Sequence, residues 1–132
     1  MANTFQKEER LGGLKIFEDL MSKGSSFFVH PFRIIWMEVP ADQKFPARIA
    51  FAVPKRNFKS SVKRNRIKRQ LREAYRIHKS ELYSALELKS VKIVVMLVYT
   101  HKEQPTHAEV EGKIILSLQR VIKAVNAAGK SA

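Results

Sequence analysis

Apolar positions recur along this chain with two periods, one near 3.6 and one of two, and the switches between them divide it into elements. Leu11, Leu14, Phe17, Leu20 and Met21 stand at helical spacing, and Gly24 supplies a left-handed stop, so a first helix is expected there. From Phe27 to Val39 aromatic and β-branched residues dominate, with Pro31 admissible near a strand start or edge, and extended structure follows. Pro40, Asp42 and Pro46 mark a turn. After it Ile49, Phe51 and Val53 alternate with Arg48, Ala50 and Ala52, the pattern of a strand with one packed face, which Pro54 ends. Between about Ser61 and Leu86 the residues Ile67, Leu71, Ala74, Tyr75, His78, Leu82 and Leu86 form a stripe at spacings of three and four, which predicts one long helix. Val91 to Tyr99 reads as a central strand buried on both faces. Thr106 and Glu109 make a Thr-x-x-Glu capping box that opens a last helix, with Val110, Ile114, Leu118, Val121, Ile122 and Val125 on one side.

This order predicts an α+β fold: a two-layer sandwich of about three helices on a small mixed, mainly antiparallel sheet, with a βαβ unit running through the long helix. A chain of 132 residues with 45% apolar positions argues for a single domain, 1–132. Its ordered core is expected over about 10–126, with the first few residues and Ala127 to Ala132 as loose ends. Cysteine is absent, which excludes disulfides, cysteine zinc sites and thiol nucleophiles and is compatible with a reducing, cytoplasmic setting. The longest strongly apolar run, Val91 to Tyr99, is interrupted by Lys92 and too short to span a bilayer, so no membrane partner is expected. The N-terminal MANTFQKEER lacks the basic-then-apolar layout of a signal peptide.

Charge changes the picture most. With 25 Lys and Arg against 12 Asp and Glu the net charge is +13, well beyond what solubility requires, and a polyanionic partner is the leading expectation. The cations concentrate between Lys55 and Lys79, against the single acid Glu73. A solvated helix face ordinarily mixes signs, whereas Arg69, Arg72 and Arg76 place like charges three and four residues apart, an arrangement that costs stability until an anion arrives. Arginine dominates the middle of the run, and its planar fork suits bidentate contact with phosphate. Spacing alone leaves a DNA groove and folded RNA both open.

The run from Ser61 to Arg76, SVKRNRIKRQLREAYR, resembles the RNR motif of the protein subunit of bacterial ribonuclease P, and Arg-Asn-Arg-x-Lys-Arg-x-x-Arg-Glu is met in full. Arg48 to Phe58, RIAFAVPKRNF, is similar to that family's last strand and basic turn, and Arg10 through Phe17 to Gly24 is similar to its first helix. The resemblance implies a small basic cofactor of a catalytic RNA, the two together removing the 5′ leader of precursor tRNA, with the chemistry done by the RNA and the magnesium held mainly by it. It assigns contact with the RNA subunit to Lys63, Arg64, Asn65, Arg66, Lys68, Arg69 and Arg72. It points to Phe17, Met21, Phe32, Lys55 and Arg56 for the single-stranded leader, in a cleft between the first helix and the sheet. It also implies a left-handed βαβ crossover, against the usual right-handed rule. The expected partners are therefore ribonuclease P RNA and precursor tRNA in a bacterial cytoplasm, with self-association left open.

Catalytic residues on the protein itself are not expected. A metal nuclease needs clustered carboxylates, and the only aspartates are Asp19 and Asp42; Glu18 and Asp19 are adjacent on a helix and diverge. His101, Lys102 and His107 around Pro105 match a metal-free ribonuclease site only in composition, and a polar loop beside a capping box accounts for them. His30 and His78 read as structural or partner-facing. For Phe17, cleft and core are both open; for the strand aromatics, core is the general tendency. The alternative function is a ribosomal or regulatory nucleic-acid-binding protein that uses the same helix with no enzyme attached.

Overall fold

A computed structural model describes residues 5–40 and 42–130, with the side chains of 129 and 130 left aside. Helix α1 spans Leu14–Lys23, and strands β1 (Ser25–Val29), β2 (Phe32–Val39) and β3 (Ala47–Ala52) follow. Helices α2 (Ser61–His78) and α3 (Ser80–Lys89) lead to β4 (Lys92–Tyr99) and the long α4 (His107–Lys130). The four strands form one sheet in the order β1-β2-β4-β3, antiparallel except for the parallel β3–β4 pair. The segment read from Phe27 to Val39 is thus a hairpin turning at His30 and Pro31, and β4 is central as expected.

Two cores lie on opposite faces of the sheet. On one, Phe32, Ile34, Trp36, Ile49, Ile93, Val95, Leu97 and Tyr99 meet Ile67, Leu71 and Tyr75 of α2, Leu82 and Leu86 of α3, and Ile114, Leu118 and Val121 of α4. On the other, a smaller cluster of Leu11, Leu20, Ile35 and Val94 seats α1 on the sheet. Of the three helices expected, the long one, here α2 and α3, and the last, α4, form the layer on one face, while the first, α1, partly covers the other. The side chain of Ile93 enters the three-helix layer while its amide donates to Pro46 on the β3 side (2.9 Å). For L-residues this puts β3 to the right of β4 when viewed from those helices with both strands pointing up. The chain therefore crosses from right to left through α2 and α3, a left-handed βαβ unit.

The structure departs from the sequence pattern at a few positions, each with a physical cause. Gly24 is extended (φ −70°, ψ 152°), not left-handed. A Cβ there would stand 2.4 Å from the Leu20 carbonyl oxygen and 2.9 Å from Ile35 Cγ2, so close approach, not φ, demands glycine. The positive φ is at Gly13 (99°), where the chain turns into α1; Leu11 lies before the helix, its amide bonded to Ile49 O (2.9 Å). The single helix expected from Ser61 to Leu86 is two, broken at Lys79, while the apolar stripe continues in phase across the break. Lys79 is buried and its ammonium bonds Glu9 of the short 3-10 turn Lys7–Glu9, which Tyr83 Oη also reaches (2.6 Å). The capping box forms as read, with Thr106 N to Glu109 Oε1 at 2.9 Å and Glu109 N to Thr106 Oγ1 at 3.2 Å. Helix α4 continues past Ala127, where a loose end was expected; the rest of the expected loose ends, 1–4 and 131–132, lie outside the described residues. No helix among the described residues is long and apolar enough to cross a membrane.

Candidate nucleic-acid interface

Helix α2 starts where Ser60 caps it, the side chain accepting from the Lys63 amide (3.3 Å). Ile67, Leu71, Ala74 and Tyr75 fix its rotation by burying one side. The opposite side then carries Asn65, Arg66, Arg69 and Arg72, all exposed, at the i, i+1, i+4, i+7 spacing of one helical ridge. Lys63 is exposed on a flank, and Lys68 and Arg64 are half-buried on the side toward the sheet. Glu73 pairs with Arg76 (2.7 Å), which holds its carboxyl below the usual carboxylate range, and so the one acid of the run is taken. Among the described residues none of Arg66, Arg69 and Arg72 forms an ion pair. Of the RNA-contact candidates, Asn65, Arg66, Arg69 and Arg72 thus form one outward ridge, Lys63 and Lys68 flank it, and Arg64 stands apart. That side chain turns back, and its Nη1 donates to the carbonyls of Phe58 (2.7 Å) and Lys59 (3.0 Å).

The leader-site candidates divide. Phe17 is half-buried, packed against the Leu11–Leu20–Ile35–Val94 cluster, and lines an open groove with Met21, which is half-exposed. Phe17 is thus partly core, and the groove that it lines is formed by α1 residues alone, Phe17, Glu18, Met21 and Ser22. Lys55 and Arg56 are exposed in the turn after β3. Phe32 is the correction: it is fully buried in the three-helix core, its ring 5.9 Å from that of Tyr99, on the face away from α1. Alternation along a strand puts its neighbour Arg33 on the α1 face instead. The register aligns Phe28, Arg33, Val98 and Ala52 in one cross-strand row on that face. None of these four belongs to the cluster under α1, and Phe28 (55%) and Arg33 are exposed. The uncovered row ends at the turn carrying Lys55 and Arg56. Arg33 was not singled out from sequence, and Phe28, counted there with the strand aromatics for which core is the general tendency, is exposed instead; the signal was the lone cation inside an apolar strand, which marks the solvent-facing phase.

His101 has its ring 5.6 Å from that of His30 and its Nε2 3.3 Å from Glu103, while His107 is exposed at the start of α4. His78 bonds Glu111 (3.0 Å), which lowers the Glu111 carboxyl below its usual range and ties α2 to α4. Among the described residues no group of three or more His, Asp or Glu could hold a metal ion.

The family model for ribonuclease P matches residues 5–123. The ribonuclease P protein component of Porphyromonas gingivalis is 30% identical over 115 residues, covering 87% of this chain and 84% of that one. The component from Dictyoglomus thermophilum is 34% identical over 85 residues, 64% of this chain and 68% of its own. In fold, the RNase P protein of Thermotoga maritima superposes with a TM-score of 0.67 at 20% identity, covering 85% of this chain and 96% of that one. That of Staphylococcus aureus gives 0.65 at 22% identity, over 86% and 97%. These relatives are components of a ribonuclease, not ribosomal or regulatory proteins. Matched by the family model from residue 5 to residue 123 and by a relative across most of both chains, this chain belongs to the ribonuclease P family.

Proposed function

We propose that this chain acts as the protein subunit of a bacterial ribonuclease P, binding its catalytic RNA through α2 and the 5′ leader of precursor tRNA on the sheet face beside α1. The observation that carries the reading is the exposed ridge of Asn65, Arg66, Arg69 and Arg72, whose cations have no acidic partner among the described residues. Such a surface is stabilised by phosphate, and the counterions it releases make binding salt-dependent. The uncovered row from Phe28 to Ala52 holds Arg33 within it and leads to Lys55 and Arg56, on the same face as Phe17 and Met21 of α1, and this mixture of apolar surface and cations suits an unpaired strand whose bases stack or pack while its phosphates meet charge. The protein positions RNA, and the hydrolysis of the phosphodiester belongs to the RNA subunit. Magnesium is assigned to the RNA, and the holoenzyme to the cytoplasm.

Arg66→Ala combined with Arg69→Ala tests the ridge. Loss of two phosphate contacts weakens binding to ribonuclease P RNA by roughly 1–3 kcal/mol. It also lowers the slope of log K against log salt by about 1.4 to 1.8. Circular dichroism serves as the folding control. An unchanged affinity and slope in the folded double variant removes α2 from the interface.

A further inference from the structure

The turn between β3 and α2 sets a problem that its own sequence does not solve. Lys55, Arg56 and Lys59 are exposed like charges within one short loop, and their repulsion favours an open, splayed chain. Four kinds of contact hold it closed. The Pro54 carbonyl accepts from the amides of Asn57 (3.2 Å) and Phe58 (3.4 Å), and Asn57 Nδ2 donates to the Thr100 carbonyl at the end of β4 (3.4 Å). Phe58 is buried, its ring stacked on that of Tyr99 at 6.1 Å and 30°. The fourth contact is Arg64, one turn into α2, whose Nη1 bonds the carbonyls of both Phe58 and Lys59.

Two features set Arg64 apart from the other arginines of its motif. It lies seven residues before the fully buried Leu71, hence on the sheet-facing side of α2, while Asn65, Arg66, Arg69 and Arg72 face outward. It also stands near the N-terminal end of a helix, where the dipole disfavours positive charge, and the two carbonyls that it bonds offset that cost.

We propose that Arg64 is a positioning residue that clamps the 54–60 turn, and through it fixes Lys55, Arg56 and Lys59 for the leader strand. Its energetic effect on RNA then runs through those three cations. This rests on the reading of the turn as part of the leader site, and the two fail in different ways.

The test is a mutant cycle on the reconstituted holoenzyme, read as the affinity for precursor tRNA relative to mature tRNA. The four proteins are the unaltered chain, Arg64→Gln, the turn variant Lys55→Gln/Arg56→Gln/Lys59→Gln, and all four substitutions together. Arg64→Gln should lower the precursor preference roughly three- to tenfold in the native turn, about 0.7 to 1.4 kcal/mol, and less than about twofold in the neutral turn. Hydrogen exchange of the free protein should show faster exchange at the Asn57 and Phe58 amides in Arg64→Gln. If Arg64→Gln does not fold, the same cycle is run with Arg64→Lys. An equal loss in both backgrounds overturns the clamp and makes Arg64 an independent RNA contact. A turn variant that keeps the full precursor preference overturns the leader reading of the turn, and the clamp's role with it.

Discussion

Phe32 and Arg33 are adjacent in sequence and belong to different halves of the molecule. Because side chains alternate along a strand, a shift of one residue moves a candidate from one layer to the other, and composition alone does not set the phase. Phe32 lies against Tyr99 with no exposure, while Arg33 sits in the open row with Phe28. Phe32→Ala is therefore expected to cost about 3–5 kcal/mol of folding stability, the usual range for a buried phenylalanine. At a temperature where the variant is folded, it should leave the preference for precursor over mature tRNA intact. Arg33→Ala should do the reverse, with little change in stability and a loss of leader-dependent affinity. Chemical unfolding and substrate titration on the same two proteins decide it, and a selective leader defect in Phe32→Ala would contradict the assignment of faces.

At the scale of elements, most of the architecture was legible because burial imposes period. The capping box at Thr106, the strand after Pro46 and the central strand from Val91 all occur where the pattern placed them. The break at Lys79 was not legible, since Leu82 and Leu86 continue the stripe of Leu71 and Tyr75 in phase, and periodicity registers phase, not continuity. What occupies the break is a long-range contact: Glu9, 70 positions away, bonded to Lys79 and Tyr83. The motif Arg-Asn-Arg was legible as a basic run, but the inward turn of its first arginine depends on where the preceding carbonyls point, which no spacing rule gives.

The Glu9–Lys79 contact carries a pH prediction. Burial by itself raises the Glu9 pKa, but the bonds from Lys79, Tyr83 and the Gln6 amide outweigh it and hold the carboxyl below its usual value. A group whose folded pKa is depressed contributes stability that is full above its unfolded pKa, near 4.3, and is lost as pH falls through the folded one. Glu9→Gln should cost roughly 3–5 kcal/mol at pH 7, because it removes the carboxylate that pairs with the buried Lys79 ammonium. The gap between variant and parent should narrow below about pH 4.5. Urea unfolding of both proteins from pH 7 to pH 3 measures it; a gap of constant size across that range contradicts the pair as the tether between the 3-10 turn and α3.

For the molecule as a whole, charge and topology act together. A net charge of +13 would draw the chain to any polyanion, and field alone confers no choice among them. Selectivity requires that separate surfaces engage together; in the proposed function these are the outer ridge of α2 and the uncovered row of the sheet, which the crossover joining β3 to β4 through α2 and α3 holds in fixed relation. The measurement that bears most directly on this account is reconstitution: purified protein added to a bacterial ribonuclease P RNA and precursor tRNA at a magnesium concentration too low for the RNA to act alone. The account predicts that the protein restores release of the 5′ leader at the mature end while cleaving nothing without the RNA. Leader cleavage that is unaffected by the protein, or cleavage by the protein in the absence of the RNA, would contradict it.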